Sequence, residues 1–144
     1  MFNRFLKSLP RTSYVVFNPA QDSAITFAQN LFRTNNLAPL PKDYVTFLKI
    51  TDGFAYNGTI FYGIRSKDRK LSNGRGYFFV GLLEANLEFA NKPDSLGKVL
   101  LGQTPERAIL YSEADSAYLL QDMFSKEIIY KIKDFSDLLT GLFL

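Results

Sequence analysis

The chain has 144 residues, a formal net charge of +3 and neither cysteine nor histidine. Those two absences exclude disulfide bonds, zinc–thiolate sites and thiolate nucleophiles, and they remove the side chain best suited to acid–base catalysis near neutral pH. The sequence is 47% hydrophobic with 14 Phe and 8 Tyr, which is typical of one folded domain over 1–144 with a substantial core. Most enzyme templates therefore fail for this sequence, and we expect no catalytic residue, metal or cofactor.

The charge is unevenly distributed along the chain. Segments 1–11 and 65–76 carry net charges of +3 and +4, so the remaining residues together carry −4. The longest apolar run, at 78–83, is far shorter than the about 20 residues that a membrane-spanning helix requires, and the N-terminal segment lacks the apolar stretch of an export signal. We therefore expect a soluble cytoplasmic protein without membrane association.

Two helices are predicted before residue 40. A short apolar face over 2–9 predicts the first helix, which Pro10 would end. Asn18 and Pro19 form a pair typical of a helix start, with Asn18 as the cap and Pro19 at the first helical position. From there to residue 35 the apolar side chains keep helical spacing, at Ile25, Ala28, Leu31 and Phe32.

The segment 40–63 predicts a helix, a turn and a strand. Pro41 suits the first helical position because its φ is preset and its missing N–H would have no partner there. Gly53 suits the left-handed conformation that ends a helix, Asn57-Gly58 is a tight-turn pair, and the β-branched and aromatic residues at 59–64 predict a strand. The buried face of the helix is expected to consist of Tyr44, Phe47, Leu48 and Thr51.

The second half of the chain is predicted to be mostly strands. Residues 65–76 should form a polar loop, and 77–80 either a short strand or the approach to a helix at 82–89. Four strands follow, with separators short enough for antiparallel hairpins, at 98–103, 107–112, 117–123 and 127–133. Asp134 can cap a last helix with an apolar face of Phe135, Leu138, Leu139 and Leu142. The sequence predicts an α+β fold, with a largely antiparallel sheet of five to six strands and helices packed on one face.

The central segment contains a recognisable motif: Leu-Pro-x-x-Tyr on a helix, a glycine stop, and Asn-Gly before a Tyr-Gly strand. Its residues are Leu40, Pro41, Asp43, Tyr44, Phe47, Leu48, Gly53, Asn57, Gly58, Tyr62 and Gly63. This motif resembles the opening motif of the SUKH superfamily, which includes the Smi/Knr cell-wall regulators of fungi and many bacterial immunity proteins. Segment 83–89 is similar to the second helix of the YrhA-like branch, and the resemblance covers 37–143.

The resemblance implies a non-catalytic protein-binding module. The expected role is a bacterial immunity protein that binds and neutralises a cognate toxin domain encoded nearby. The alternative is a regulatory interaction protein of the Smi/Knr cell-wall type, with no toxin partner. The matching residues are structural ones, so the resemblance predicts the fold and transfers no binding site, and the sequence leaves the oligomeric state open.

The basic segment 65–76 supplies the candidate contact residues. Charge and expected exposure select Arg65, Lys67, Arg69, Lys70 and Arg75. Tyr56, in the connection before Asn57, joins them because exposed aromatic side chains anchor interfaces, whereas Phe54 is expected in the core. A solvated loop and a nucleic-acid contact are the alternatives. Because no recognised nucleic-acid module accompanies the charge, we expect a protein partner rather than nucleic acid.

A carboxylate-dependent hydrolase is a further alternative, from a different class of function. The nearest acidic pairs are Glu84 with Glu88, one helical turn apart, and Glu113 with Asp115 in a predicted hairpin turn. Catalysis by such a pair needs a substrate cleft and one carboxyl group with a raised pKa. A solvated helix face and a polar turn are the expected roles of these residues.

Overall fold

The computed structural model describes residues 2–7, 14–70, 74 and 76–143. Within these ranges the helices are α1 (Phe2–Lys7), α2 (Asp22–Thr34), α3 (Lys42–Leu48), α4 (Leu82–Phe89) and α5 (Phe135–Phe143). The strands are β1 (Tyr14–Val16), β2 (Phe54–Tyr56), β3 (Thr59–Phe61), β4 (Lys67–Lys70), β5 (Gly76–Phe79), β6 (Lys98–Gln103), β7 (Arg107–Ser112), β8 (Ala117–Asp122) and β9 (Ile128–Ile132).

Seven strands form one antiparallel sheet in the order β1-β2-β3-β6-β7-β8-β9, while β4 and β5 pair in a separate small sheet. The α+β class and the antiparallel sheet are therefore confirmed. The sheet exceeds the predicted five to six strands because β1 and β2, each three residues long, are too short to show a two-residue period in the sequence. The helix at 82–89 and the four strands after it are confirmed, with β8 and β9 slightly shorter than predicted.

The predicted buried face of α3 is confirmed for Tyr44, Phe47 and Leu48, which form the centre of the main core, whereas Thr51 is buried but lies beyond the end of the helix. Tyr44, Phe47 and Leu48 are at most 2% exposed. Phe61 of β3 and Phe135 of α5 pack against Tyr44 and Phe47, with ring centroids 5.5 to 6.2 Å apart. The Tyr44 hydroxyl donates towards two carbonyl oxygens near the middle of the sheet, at 2.5 Å from that of Tyr62, just after β3, and 3.2 Å from that of Leu101 in β6. This helix is thus fixed to the sheet by both packing and a buried hydrogen bond.

The two predicted helix starts each need a correction. Pro41 is the residue before α3, and its carbonyl oxygen accepts the N–H groups of Tyr44 and Val45. Helix α2 begins at Asp22 rather than at Pro19, because the residues before it are bound elsewhere: the Asn18 carbonyl accepts the Asp52 N–H, and the Ala20 N–H donates to Leu48. Helix α1 confirms the prediction for 2–7, and residues 8 and 9 lie outside the described ranges.

A side chain of helix α4 bonds to the backbone of β6 beyond the point where β3 and β6 stop pairing. The side chain of Asn86 takes the place of a neighbouring strand: its Oδ1 accepts the Leu100 N–H at 2.7 Å, and its Nδ2 donates to the Leu100 carbonyl at 2.9 Å and to the Leu82 carbonyl at 2.8 Å. Phe89, at the end of α4, packs with Leu110 and Leu119 in a smaller cluster on the other face of the sheet.

The turn chemistry follows the sequence closely. Asn57 and Gly58 have φ values of 50° and 83° and join β2 to β3, as their residue types predict. Gly53 has a φ of 106°, which also matches its predicted left-handed conformation.

None of the helices within the described ranges combines the length and hydropathy of a membrane span.

Candidate partner-binding site

The segment predicted as a polar loop at 65–76 contains β4 and the first residue of β5, and these two strands pair as a β-hairpin. β4 and β5 pair in the register Lys67↔Phe79, Asp68↔Phe78, Arg69↔Tyr77 and Lys70↔Gly76. Two alternatives were predicted for 77–80, a short strand or the approach to a helix. The structure has a strand, over Gly76–Phe79. The sequence obscures this hairpin because β4 is a run of charged residues without alternating apolar ones.

The structure places the five basic candidates differently. Arg65 is exposed just before the hairpin. Arg69 and Lys70 lie in β4, opposite Tyr77 and Gly76, with side chains outside the described part of the structure. Arg75 lies outside the described residues altogether.

Lys67 is bound within the chain. Its Nζ lies 2.9 Å from Oδ2 of Asp52, 2.6 Å from the Asp52 carbonyl oxygen and 4.8 Å from the ring centroid of Phe17. Its side chain is 23% exposed. Because one carboxylate, one carbonyl and one aromatic face surround the ammonium group, Lys67 anchors the base of the hairpin to the body of the protein.

Tyr56 lies in β2 rather than in a connection, and it is half-buried. Its ring packs edge-on against Phe143, with centroids 5.4 Å apart. Tyr56 also lines a cavity of about 200 Å³ together with Tyr77 and Phe79 of the hairpin. The fold therefore brings Tyr56 close to β5 of the hairpin, and none of the basic candidates is among the residues that line this cavity. Phe54, two residues earlier in the same strand, is fully buried, as predicted.

Sequence reasoning missed the most exposed aromatic side chain of the hairpin, Phe78. Phe79 points inward and is 8% exposed, packing on Phe17 and Tyr77 with centroids 5.2 and 4.8 Å away. Phe78 points the other way and is 60% exposed, and Tyr77 is 45% exposed. Three consecutive aromatic residues in a strand must project to both faces, and that signal was available in the sequence.

A groove separates the hairpin from the sheet and α4, and we call it the hairpin groove. It is a cavity of about 360 Å³, and its walls include Tyr62, Tyr77, Phe79, Glu88 and Gln103. The Tyr62 hydroxyl donates to Oε1 of Gln103 at 3.2 Å. Burial, with a smaller contribution from the charge of Glu88, raises the pKa of Tyr62 to about 12. The groove thus presents aromatic faces beside hydrogen-bonding groups, the carboxylate of Glu88 and the ammonium group of Lys92.

The acidic pairs have the character of solvated groups. Glu84 and Glu88 are both exposed on α4. Ser112 Oγ donates to Asp115 Oδ2 at 2.9 Å, and Lys131 Nζ lies 3.2 Å from Oδ1. That hydrogen bond and that ammonium group lower the pKa of Asp115, which is the opposite of what a general acid requires. Across the described residues, no group of three or more acidic, His or Cys side chains is arranged to hold a metal ion.

Together these features are typical of a surface that binds another molecule. An anchored hairpin presents exposed aromatic rings beside a basic strand, and a groove with aromatic and polar walls lies behind it. A comparison with models of known protein families finds no match to this chain, and a search of curated proteins finds none either.

Proposed function

We propose that this protein is a non-catalytic protein-binding module of SUKH type, and that it acts as an immunity protein that binds and neutralises a cognate toxin domain. The observation that carries the binding proposal is the exposure of Phe78 on a hairpin whose opposite strand is basic. The toxin assignment rests on the resemblance of the central motif.

The hairpin has two properties of an interface core. Aromatic and arginine side chains are enriched among the residues that dominate binding energy, and they act best when the surface around them excludes water. The ion pair between Lys67 and Asp52 fixes the base of β4, so this end of the hairpin is held in place before it meets a partner. Such preorganisation reduces the entropy lost on binding.

The charge of the hairpin indicates the kind of surface that would face it. Lys67 of β4 is paired with Asp52, so the remaining charge of this strand comes from Asp68, Arg69 and Lys70, and exposed Arg65 precedes it. Complementary surfaces carry opposite charge, so the partner surface should be acidic around an apolar pocket that receives Phe78. An acidic surface does not suit a nucleic-acid-binding site, and the proposed toxin is therefore not expected to be a nuclease blocked at its active site.

Co-expression tests the proposal. The toxin-like domain encoded beside this gene should arrest growth when expressed alone, and co-expression of this protein should restore growth. The purified proteins should also form a complex that survives a high-salt wash, because an apolar anchor is less sensitive to salt than charge pairs are. A neighbouring product that binds without being toxic would contradict the immunity role and support the binding module alone. A toxin that neither binds nor is neutralised would contradict the proposal.

A further inference from the structure

A second cavity lies on the face of the sheet that α5 covers, whereas the hairpin groove lies on the other face. Leu142 of α5 lines this cavity, and Phe89 of the smaller core cluster lines the groove. Its volume of about 620 Å³ is within the roughly 300–1,000 Å³ typical of small-molecule sites. We call it the α5 cavity. The residues that line it include Thr59, Glu106, Arg107, Leu120, Tyr130 and Leu142.

The guanidinium group of Arg107 lines this cavity without an anionic partner. It lies 5.5 Å from the ring centroid of Tyr130, and this cation–π contact helps to hold it. Within the described part of the chain it forms no ion pair and no hydrogen bond. Asp122 lies opposite it in the register of β7 and β8, but Asp122 Oδ1 accepts the N–H groups of Phe124 and Ser125. A half-buried guanidinium group suits a carboxylate, which it can bind through two parallel hydrogen bonds.

A carboxylate lies next to this cation in the wall of the cavity. Glu106 is exposed, and among the described residues no ammonium or guanidinium group pairs with it. Thr104 Oγ1 accepts the N–H groups of Glu106 and Arg107, at 3.4 and 3.0 Å, and so helps to fix the turn that carries them. The cavity thus presents a cation and a carboxylate that do not neutralise each other by direct contact. A ligand with both charges would be complementary to them.

Thr59 adds a buried hydroxyl group to the same wall. It is 6% exposed, and its Oγ1 has no hydrogen-bond partner among the residues that the structure describes. Phe61, two residues later in β3, packs on Phe135 of α5, so the alternation of the strand also turns Thr59 to the α5 side. No fully enclosed polar side-chain atom of the described residues lacks a partner, so this hydroxyl opens onto the cavity. A polar group at such a position favours a ligand that bonds to it.

We propose that the α5 cavity binds a small zwitterion with an aliphatic side chain, such as an aliphatic amino acid or dipeptide. Arg107 binds its carboxylate, Glu106 its ammonium group, and the Thr59 hydroxyl one of its polar atoms. Leu120 and Leu142 form the apolar wall against which the aliphatic side chain packs. The cavity and the hairpin lie on opposite faces of the sheet, so this proposal and the proposed partner contact stand or fall separately.

NMR titration of the isotope-labelled protein with leucine and with leucyl-leucine tests the proposal. At least one probe should shift the amide signals of 106–107 and 141–142, with a dissociation constant of about 0.1–1 mM. Tighter binding of leucine would identify a free amino acid as the ligand, and tighter binding of leucyl-leucine would identify a dipeptide. A native protein that binds neither probe at about 10 mM would overturn the proposal. Shifts confined to other parts of the molecule would overturn it as well.

Analogues of the tighter probe test the two charge contacts without altering the protein. The C-terminal amide, which lacks the carboxylate, should bind at least roughly tenfold more weakly. The N-acetyl form, which lacks the ammonium group, should bind about threefold more weakly, because Glu106 is exposed and its contact is screened by water. An amide and an N-acetyl form that both bind as tightly as the probe would contradict the assigned contacts.

Matched variants assign each charge to its residue. Arg107→Met should weaken the probe at least roughly tenfold and leave the binding of its amide unchanged. Glu106→Gln should weaken the probe about threefold and leave the N-acetyl form unchanged, and Thr59→Val should weaken all forms about threefold or more. Arg33→Met and Glu113→Gln, at exposed positions outside the cavity wall, are the controls and should have no effect. If Arg107→Met binds the probe as tightly as the native protein does, the proposal is wrong.

Discussion

The Nζ atom of Lys67 lies 2.9 Å from the Oδ2 atom of Asp52, and the other carboxylate oxygen of Asp52 accepts the Ile64 N–H at 2.5 Å. The two contacts join the base of the β4–β5 hairpin to the loop that follows α3. A residue that charge alone selects as a partner contact is therefore also a structural anchor. The two roles can be separated by measuring stability and binding in the same variants.

Lys67→Met should lower the free energy of unfolding by about 1–3 kcal/mol, because the Asp52 carboxylate keeps its charge and loses its cation. The Asp52 side chain is 12% exposed, so water replaces little of what is lost. Urea denaturation measures the effect. Arg65→Met, at an exposed position two residues earlier, should change stability by no more than about 0.5 kcal/mol. Equal shifts for the two variants would show that the Lys67 ion pair does not stabilise the fold.

Two glycines should respond in opposite ways to substitution by alanine. A Cβ at Gly63 would overlap the backbone carbonyl of Asp52, so Gly63→Ala should cost about 2–4 kcal/mol. A Cβ at Gly141 meets nothing within 4 Å, and this residue lies in α5, so Gly141→Ala should stabilise the protein by about 0.5–1 kcal/mol. Thermal unfolding of both variants measures the difference. A stable Gly63→Ala protein would mean that the close approach to Asp52 can relax.

Asn86 is expected to be among the most sensitive polar residues. It is 2% exposed, and Asn86→Ala would leave both backbone groups of Leu100 without their partner inside the protein. The loss should be about 2–4 kcal/mol, since each unsatisfied buried group costs about 1–3 kcal/mol. Leu87→Ala, on the exposed side of the same helix, is the control and should have a much smaller effect. Hydrogen exchange at the Leu100 amide should also accelerate in Asn86→Ala alone.

The sequence predicted the parts of the fold whose local signals agree with the tertiary structure. The helix face of Tyr44, Phe47 and Leu48 has a clear 3.6-residue period, and Asn57-Gly58 specifies its own turn. Helix α2 begins later than predicted because the Asn18 carbonyl accepts the Asp52 N–H, and Asn18 therefore does not cap a helix. That hydrogen bond joins residues 34 positions apart, and no local pattern contains it.

The candidate site could be predicted only in part. Its basic charge was visible in the sequence, and so was the aromatic run of β5. The pairing of Lys67 with Phe79 and of Asp68 with Phe78 could not be seen in the sequence, because β4 carries no apolar alternation that would identify it as a strand. Without that register, nothing distinguishes Lys67, which is bound inside the chain, from Arg65, which is exposed.

Alkaline pH should destabilise the protein through its buried tyrosines. Burial raises the pKa of Tyr62 from the ordinary value of 10.0 to about 12, and burial also raises the pKa of Tyr44. A raised pKa in the folded state favours the neutral hydroxyl there, so the contribution to stability is fully present below pH 10 and is lost as the pH rises to 12. Urea titrations at pH 8 and pH 11 should show this loss, and Tyr62→Phe should reduce it. An unchanged loss in Tyr62→Phe would assign the effect to other groups.

The neighbouring residues Phe78 and Phe79 should separate binding from folding. Phe78 is 60% exposed and Phe79 is 8% exposed, so the two side chains have opposite environments on one strand. Phe78→Ser should leave the unfolding free energy within about 0.5 kcal/mol of the native value. It should weaken binding of the proposed partner at least roughly tenfold, since a central aromatic anchor is worth about 2 kcal/mol or more.

Phe79→Ala should instead cost about 3–4 kcal/mol of stability, because its ring packs on Phe17 and Tyr77. Calorimetric titration with the partner, combined with urea denaturation of each variant, measures both quantities. Phe27→Ser on α2, with similar exposure to Phe78, controls for the loss of any exposed aromatic ring. If Phe78→Ser and Phe27→Ser bind the partner as tightly as the native protein, the hairpin is not the contact surface. The partner-binding face would then have to lie elsewhere on the molecule.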